Sequence, residues 1–175
     1  MFWFSVEKWL CRYSDKLTGK RVVLFGSTGG IGNVLSRYIL QLGGELITVD
    51  RSPEKANQLR ETLLVAFPNA RLRSLTADLE NIESVNAVCN ELFELDIDVI
   101  IHNAGAYSIP RKICSTGLDN VFQINFASPY YITSRLLQKL SQRDGRVVIV
   151  GSIAHNYSKT DPNDLDFISR QQASL

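Results

Sequence analysis

A glycine-rich turn, Gly26-Ser27-Thr28-Gly29-Gly30-Ile31-Gly32, follows the apolar run Arg21-Val22-Val23-Leu24-Phe25 and opens the periodic segment Ile31 to Leu42. Strand, turn and helix in that order constrain this chain more than any other feature. Glycine takes positive φ at little steric cost and lets backbone approach a ligand without a Cβ in the way. The helix that follows offers unpaired N–H groups and a partial positive charge at its N-terminus. Together these make the geometry that holds a dinucleotide pyrophosphate. The structural alternative is a plain tight turn.

After residue 20 strand-like and helix-like segments alternate. Short aliphatic and β-branched runs predict strands at about 21–26, 45–50, 70–75, 97–102 and 145–151, of the kind buried on both faces. Between them, Ile31, Leu35, Tyr38 and Leu42 line a helix face that Gly43-Gly44 stops. Ser52-Pro53 reads as an N-cap with proline at the first helical position; Leu59, Leu63 and Ala66 continue that helix until Pro68-Asn69. Ile82, Val85, Val88 and Leu92 mark a third helix, and a long fourth runs from about Leu118 to Leu140. This alternation predicts a doubly wound, Rossmann-type α/β domain with a parallel sheet in the order 3-2-1-4-5, incomplete at its C-terminal edge. The exposed fifth strand is then an edge with unpaired backbone groups.

Length and composition agree with one soluble globular domain: 175 residues, 45% hydrophobic and 21% charged. A net charge of +1 without a basic stripe argues against nucleic acid as a partner. Cys11, Cys89 and Cys114 are far apart and form no metal or disulfide spacing. They read as buried free thiols in a reducing compartment, so a cytoplasmic placement and no metal site are expected. No apolar run reaches the ~18 residues of a membrane span. In residues 1–18, Phe2, Val6, Trp9, Tyr13 and Leu17 fall on one helical face. This segment reads as an amphipathic helix packed on the domain, 19–175, or on a neighbouring subunit. Weak contact with a membrane surface is the alternative.

In such sheets ligands sit at the carboxyl ends of the strands. The second strand ends in Asp50-Arg51. Asp50 lies 18 residues after Gly32, where an acid can bond the adenosine ribose hydroxyls; Arg51 can pair with a 2′-phosphate instead. Because Asp50 would repel a phosphate, NAD is favoured over NADP. The third strand ends in Ala77-Asp78-Leu79, whose acid can accept from adenine or cap the next helix. The fourth ends in His102-Asn103-Ala104-Gly105, small enough after the histidine for a flat ring to lie against backbone. The fifth ends in Gly151-Ser152, which aims a hydroxyl into the crevice.

Over residues 20 to 155 the chain resembles the short-chain dehydrogenase/reductases. The resemblance is carried by Gly26-x-x-x-Gly30-Ile31-Gly32, Asp78, Asn103-Ala104-Gly105, Asn125 and Ser152, in that order. Gly26, Gly29 and Gly32 also satisfy the spacing of the epimerase-like extended branch, which Asn103-Ala104-Gly105 disfavours. The resemblance implies an NAD(P)-dependent oxidoreductase that moves hydride between nicotinamide and a carbonyl or secondary alcohol. It implies that Gly26, Ser27, Thr28, Gly30, Ile31 and Gly32 hold the pyrophosphate. Asp50 and Arg51 would meet the ribose, Asp78 and Leu79 the adenine, and Asn103, Ala104 and Gly105 would support the cofactor. Ser152 would bond the substrate oxygen, and Asn125 would hold a water in a proton relay. The full-length form would be a homo-oligomer. Pro129 bears on the relay, since proline has no N–H for the carbonyl of Asn125 four residues back; alternatively it kinks the helix or starts a new one.

Three departures stand out. Phe25 replaces a hydroxyl residue, and His102 replaces a residue that is often Asn and reads as packed rather than catalytic. No Tyr-x-x-x-Lys follows Ser152; Tyr157-Ser158-Lys159 has the wrong spacing to bring both groups to one helix face. The expectation is a C-terminally truncated member that is itself inactive. A non-catalytic nucleotide-binding regulator or interaction module is the alternative. His155 and Tyr157 are loop candidates for substrate contact.

Overall fold

The computed structural model describes residues 6–153, 156, 161, 163 and 164; His155 and Tyr157 lie outside them. The elements run α1 (Val6–Arg12), β1 (Arg21–Phe25), α2 (Gly30–Gln41), β2 (Glu45–Asp50), α3 (Pro53–Ala66) and β3 (Leu72–Thr76). Then come α4 (Ile82–Phe93), β4 (Val99–His102), α5 (Asn120–Phe122), a π-helical turn (Gln123–Ala127), α6 (Ser128–Ser141) and β5 (Arg146–Ile149). The sheet order is β3-β2-β1-β4-β5, every pair parallel, as the alternation predicts.

Strand residues alternate between two cores because successive side chains point to opposite faces. Val23, Phe25, Ile47, Val49 and Ile100 pack with Val85, Val88 and Leu92 of α4 and Ile132 and Leu136 of α6. Val22, Leu24 and Leu46 pack with Ile39 of α2 and Leu59 and Leu63 of α3. Burial of each such aliphatic side chain contributes on the order of 2 kcal/mol, so these clusters are what the sheet stands on. β5 is different: all four of its residues are exposed, and it forms one edge of the sheet. At the opposite end of the strands from the glycine turn, Asp98 accepts from the Arg21 amide (2.9 Å) and Lys20 Nζ (3.1 Å) and forms an ion pair with Arg143 (3.4 Å). Burial raises the Asp98 pKa, but those partners outweigh it and the net shift is downward.

Several expectations are corrected in detail. The buried face of α2 is Gly32, Ser36, Ile39 and Leu40, with Ile31 62% exposed, because Gly32 must press against the turn and so fixes the rotation of the helix. In α3 the buried positions are Ala56, Leu59 and Leu63, and Ala66 is exposed at its C-terminal end. The long fourth helix is interrupted. Pro129 falls in the first turn of α6, and the Ser128 amide just before it bonds Gln123 O, five residues back, so the helix widens there. This fits the reading in which Pro129 starts a new helix. The N-terminal helix is short, and its buried apolar residue is Leu10, while Val6 and Tyr13 are exposed. Phe2 and the Trp9 side chain lie outside the described residues. Cys89 and Cys114 are buried, but Cys11 is exposed.

The two core departures prove to be neighbours. Phe25 and His102 are register partners across β1 and β4, and their rings stack at 5.2 Å. His102 is 3% exposed; Nε2 meets Thr133 Oγ1 at 2.9 Å, and Nδ1 has no partner among the described residues. Burial lowers its pKa from 6.5 to about 4. The unfolded chain therefore takes up the extra proton in that window. Stability from neutral His102 is complete above about pH 6.5 and is lost as pH falls toward 4, by roughly 3 kcal/mol in all. The urea midpoint of the wild type should fall more steeply between about pH 7 and about pH 4.5 than that of His102→Asn; parallel profiles would refute this assignment.

Candidate functional site

The site begins where β1 ends. Gly26 has φ +78°, and a Cβ on it would stand 2.7 Å from Ala104 Cα. A Cβ on Gly32 would lie 2.1 Å from Gly26 O and 2.9 Å from Asn103 Nδ2. Both positions therefore exclude any larger residue, and they do so because the β1 turn, α2 and the β4 exit converge there. Asn103 Nδ2 donates to Gly26 O at 2.7 Å, which ties the fourth strand's end to the turn. Gly30, the first residue of α2, faces open space.

Asp50 closes the turn from the other side. It is 2% exposed. Its Oδ2 accepts from Ser27 Oγ at 2.5 Å, and its Oδ1 accepts from the Thr28 amide and hydroxyl at 2.9 and 3.0 Å. Asp78 Oδ1 accepts from the Glu80 amide at 3.0 Å, while the cap of α4 is Asn81, whose Oδ1 accepts from the Ser84 amide. Ser52 caps α3 as the sequence suggests, accepting from the Lys55 amide.

These groups border a cleft of about 450 Å³ at the carboxyl ends of the strands. Of the predicted cofactor residues, Gly26, Thr28, Asp50, Arg51, Asp78, Leu79, Asn103, Ala104 and Gly105 line it together. Ser27 and Gly32 are buried behind the turn, and Gly30 and Ile31 are exposed at its rim. Asn125 and Ser152 stand outside this lining. Asn125 Oδ1 accepts from the Ala106 amide and Nδ2 donates to Ala106 O, each at 2.8 Å, so its side chain clamps the loop after β4. Ser152 is exposed beyond the end of β5. The sequence reading missed Ser52, Lys55, Tyr107 and Ile109, which also line the cleft. Lys55 was legible: it lies in the first turn of the helix that Ser52-Pro53 opens, directly after the carboxyl end of β2. Among the described residues no cluster of three or more His, Cys, Asp or Glu side chains forms a metal site.

Parallel sheet, glycine turn and carboxyl-end cleft define a Rossmann-type α/β domain. The chain belongs to the short chain dehydrogenase family, whose model matches residues 20–161. It is 30% identical over 155 residues to a Brassica napus protein named short-chain dehydrogenase TIC 32 A, chloroplastic, covering 84% of this chain and 48% of that one. It is 30% identical over 161 residues to mouse retinol dehydrogenase 14, covering 85% and 48%. The chain thus spans about half the length of the curated relatives it matches. Two solved structures share the fold. A Sphingobium yanoikuyae short-chain dehydrogenase in complex with NADPH has a TM-score of 0.68 at 23% identity, covering 77% of this chain and 54% of its own. An Agrobacterium tumefaciens 3-oxoacyl (acyl-carrier-protein) reductase with NADP bound has a TM-score of 0.71 at 20% identity, covering 90% and 61%.

The glycine geometry makes a paired prediction. Gly32→Ala should cost at least about 2 kcal/mol in urea unfolding, because the new methyl meets fixed backbone. Gly30→Ala, with space around it, should match or slightly exceed wild-type stability. Equal midpoints for the two variants would contradict the described turn.

Proposed function

We propose that the cleft binds NAD(P) and that the chain is the cofactor-holding part of an oxidoreductase acting on a carbonyl or secondary alcohol. The observation that carries this reading is the convergence on one cleft of the glycine turn, Asp50-Arg51, Asp78-Leu79 and Asn103-Ala104-Gly105. The residues present fit such a group. The turn offers the open start of α2 to a pyrophosphate, the β2 end offers Arg51, Ser52 and Lys55 to the adenosine ribose, and Ala104 and Gly105 leave room for a flat ring. When bound, the nicotinamide supplies or accepts the hydride.

The chain's own residues then bind and orient. Gly26 to Gly32 hold the pyrophosphate, and Asp78 and Leu79 border the adenine. Asn103 keeps the turn and the fourth strand's end at a fixed separation through its bond to Gly26 O. Ser152 bonds the substrate oxygen, and the Asn125 carbonyl holds a water. A second reading is a nucleotide-binding module without turnover, in which the same cleft holds the nucleotide and Ser152 and Asn125 have no chemical role. The two readings share the cofactor and differ in proton supply.

Both are tested by titrating the 175-residue chain with NADH and NADPH and following nicotinamide fluorescence. Saturable binding that Gly32→Ala weakens by at least about tenfold is expected, since the methyl displaces the turn. No saturation with either nucleotide would overturn the cofactor reading. Oxidation of bound NADPH on adding simple aldehydes or ketones would overturn the reading without turnover.

A further inference from the structure

Spacing in the sequence assigns the 2′ position of the adenosine ribose to Asp50. In the structure that carboxylate is occupied by the turn, with three donors from Ser27 and Thr28 on its two oxygens. Withdrawing it would leave the fully buried Ser27 hydroxyl without its acceptor, which is costly in a dry site. Asp50 is thus held to the turn.

A second carboxylate stands at the same edge. Glu80 follows Asp78-Leu79, and its side chain is 13% exposed. Its Oε1 lies 3.8 Å from Arg51 Nη1, and its Oε2 lies 3.3 Å from Lys112 Nζ. Its backbone is fixed on both sides: the amide donates to Asp78 Oδ1 at 3.0 Å, and the carbonyl accepts from Gln123 Nε2 at 2.7 Å. The carboxylate is therefore presented from rigid backbone between two cations. Arg51 is 72% exposed and lines the cleft beside Ser52 and Lys55.

We infer that Glu80, rather than Asp50, is the acid that sets the choice between phosphorylated and unphosphorylated ribose, by engaging the Arg51 guanidinium that a 2′-phosphate would use. This rests on the cofactor reading above. A guanidinium matches a phosphate with two parallel N–H bonds, so a phosphate competes directly for the group Glu80 holds. An ion pair this long, with its guanidinium largely exposed, is weak, so Glu80 tunes this competition without blocking it. The Glu80 charge also repels a nearby dianion. Both effects act on the phosphate charge, which the unphosphorylated nucleotide lacks. Glu80 is a specificity-setting residue and takes no part in the chemistry.

The test is fluorescence titration of the full chain with NADH and NADPH. In Glu80→Gln, which keeps the side chain's shape, the NADPH Kd should fall by about twofold to fivefold, within the range a weak ion pair spans. The NADH Kd should change by less than about 1.5-fold, since its ribose carries no charge for Glu80 to repel or for Arg51 to neutralise. Adding Arg51→Gln to Glu80→Gln should cancel the gain. Asp50→Asn loosens the turn, so both Kd values should rise together with their ratio unchanged. The inference is overturned if Glu80→Gln leaves the NADPH-to-NADH ratio where it was, or if Asp50→Asn alone moves it. Should Asp50→Asn fail to fold, the Glu80 and Arg51 variants decide the question alone. Failure of the wild type to bind either nucleotide removes the cofactor reading and this inference with it; binding with an unmoved ratio removes the inference only.

Discussion

The contact on which the site depends is the approach of α2 to the first turn, where Gly32 leaves no space for a Cβ against Gly26 O. Everything near the cleft takes its position from that approach. It sets the rotation of α2, so that Ser36 and Ile39 face inward and Ile31 outward. It leaves Gly26 O in reach of Asn103, which draws in the end of β4. Asp50 completes the arrangement from β2 by collecting the Ser27 and Thr28 donors. Three adjacent strands are thereby pinned at their carboxyl ends by side chains in addition to the sheet's own ladder. The buried carboxylate is tolerable because each of its oxygens is met by a donor.

The substitutions that set this chain apart from its family's usual pattern compensate one another. Phe25 gives up a hydroxyl beside the turn and gains a buried ring contact; His102 supplies the other ring. A histidine in that place is stabilising only while neutral, which makes the sheet's interior sensitive to acid. At the opposite end of the sheet Asp98 and its cationic partners favour the charged state, so stability there is also lost in acid, by protonation of a carboxylate rather than of a ring.

Most of the fold was legible because it rests on periodicity. Strand runs such as Val22-Val23-Leu24 and the spacing of Val85, Val88 and Leu92 report burial directly, and strand order follows from alternation. Four things were not legible, each for a physical reason. The rotation of α2 is decided by a backbone collision, which leaves no mark in hydrophobic spacing. Pro129 marks a new helix start in the sequence, but the widened turn at 123–127 depends on the Ser128 amide reaching Gln123 O, which a periodic reading does not show. The engagement of Asp50 depends on where Ser27 and Thr28 point, whereas spacing shows only that an acid lies at the right distance. Glu80 was overlooked because it sits among charged neighbours whose pairing is set by the loop after β4.

The clamp between Asn125 and Ala106 has a consequence for how such a site can be dissected. Both ends of the Asn125 amide are engaged by the loop backbone, while the atom of interest for a relay is its main-chain carbonyl. No side-chain replacement removes a carbonyl. Substitution at 125 thus perturbs loop architecture and leaves the candidate water acceptor in the chain, so a lost activity at this position would be mute about proton transfer. Only editing the backbone itself, for example an ester in place of the neighbouring amide, interrogates that oxygen.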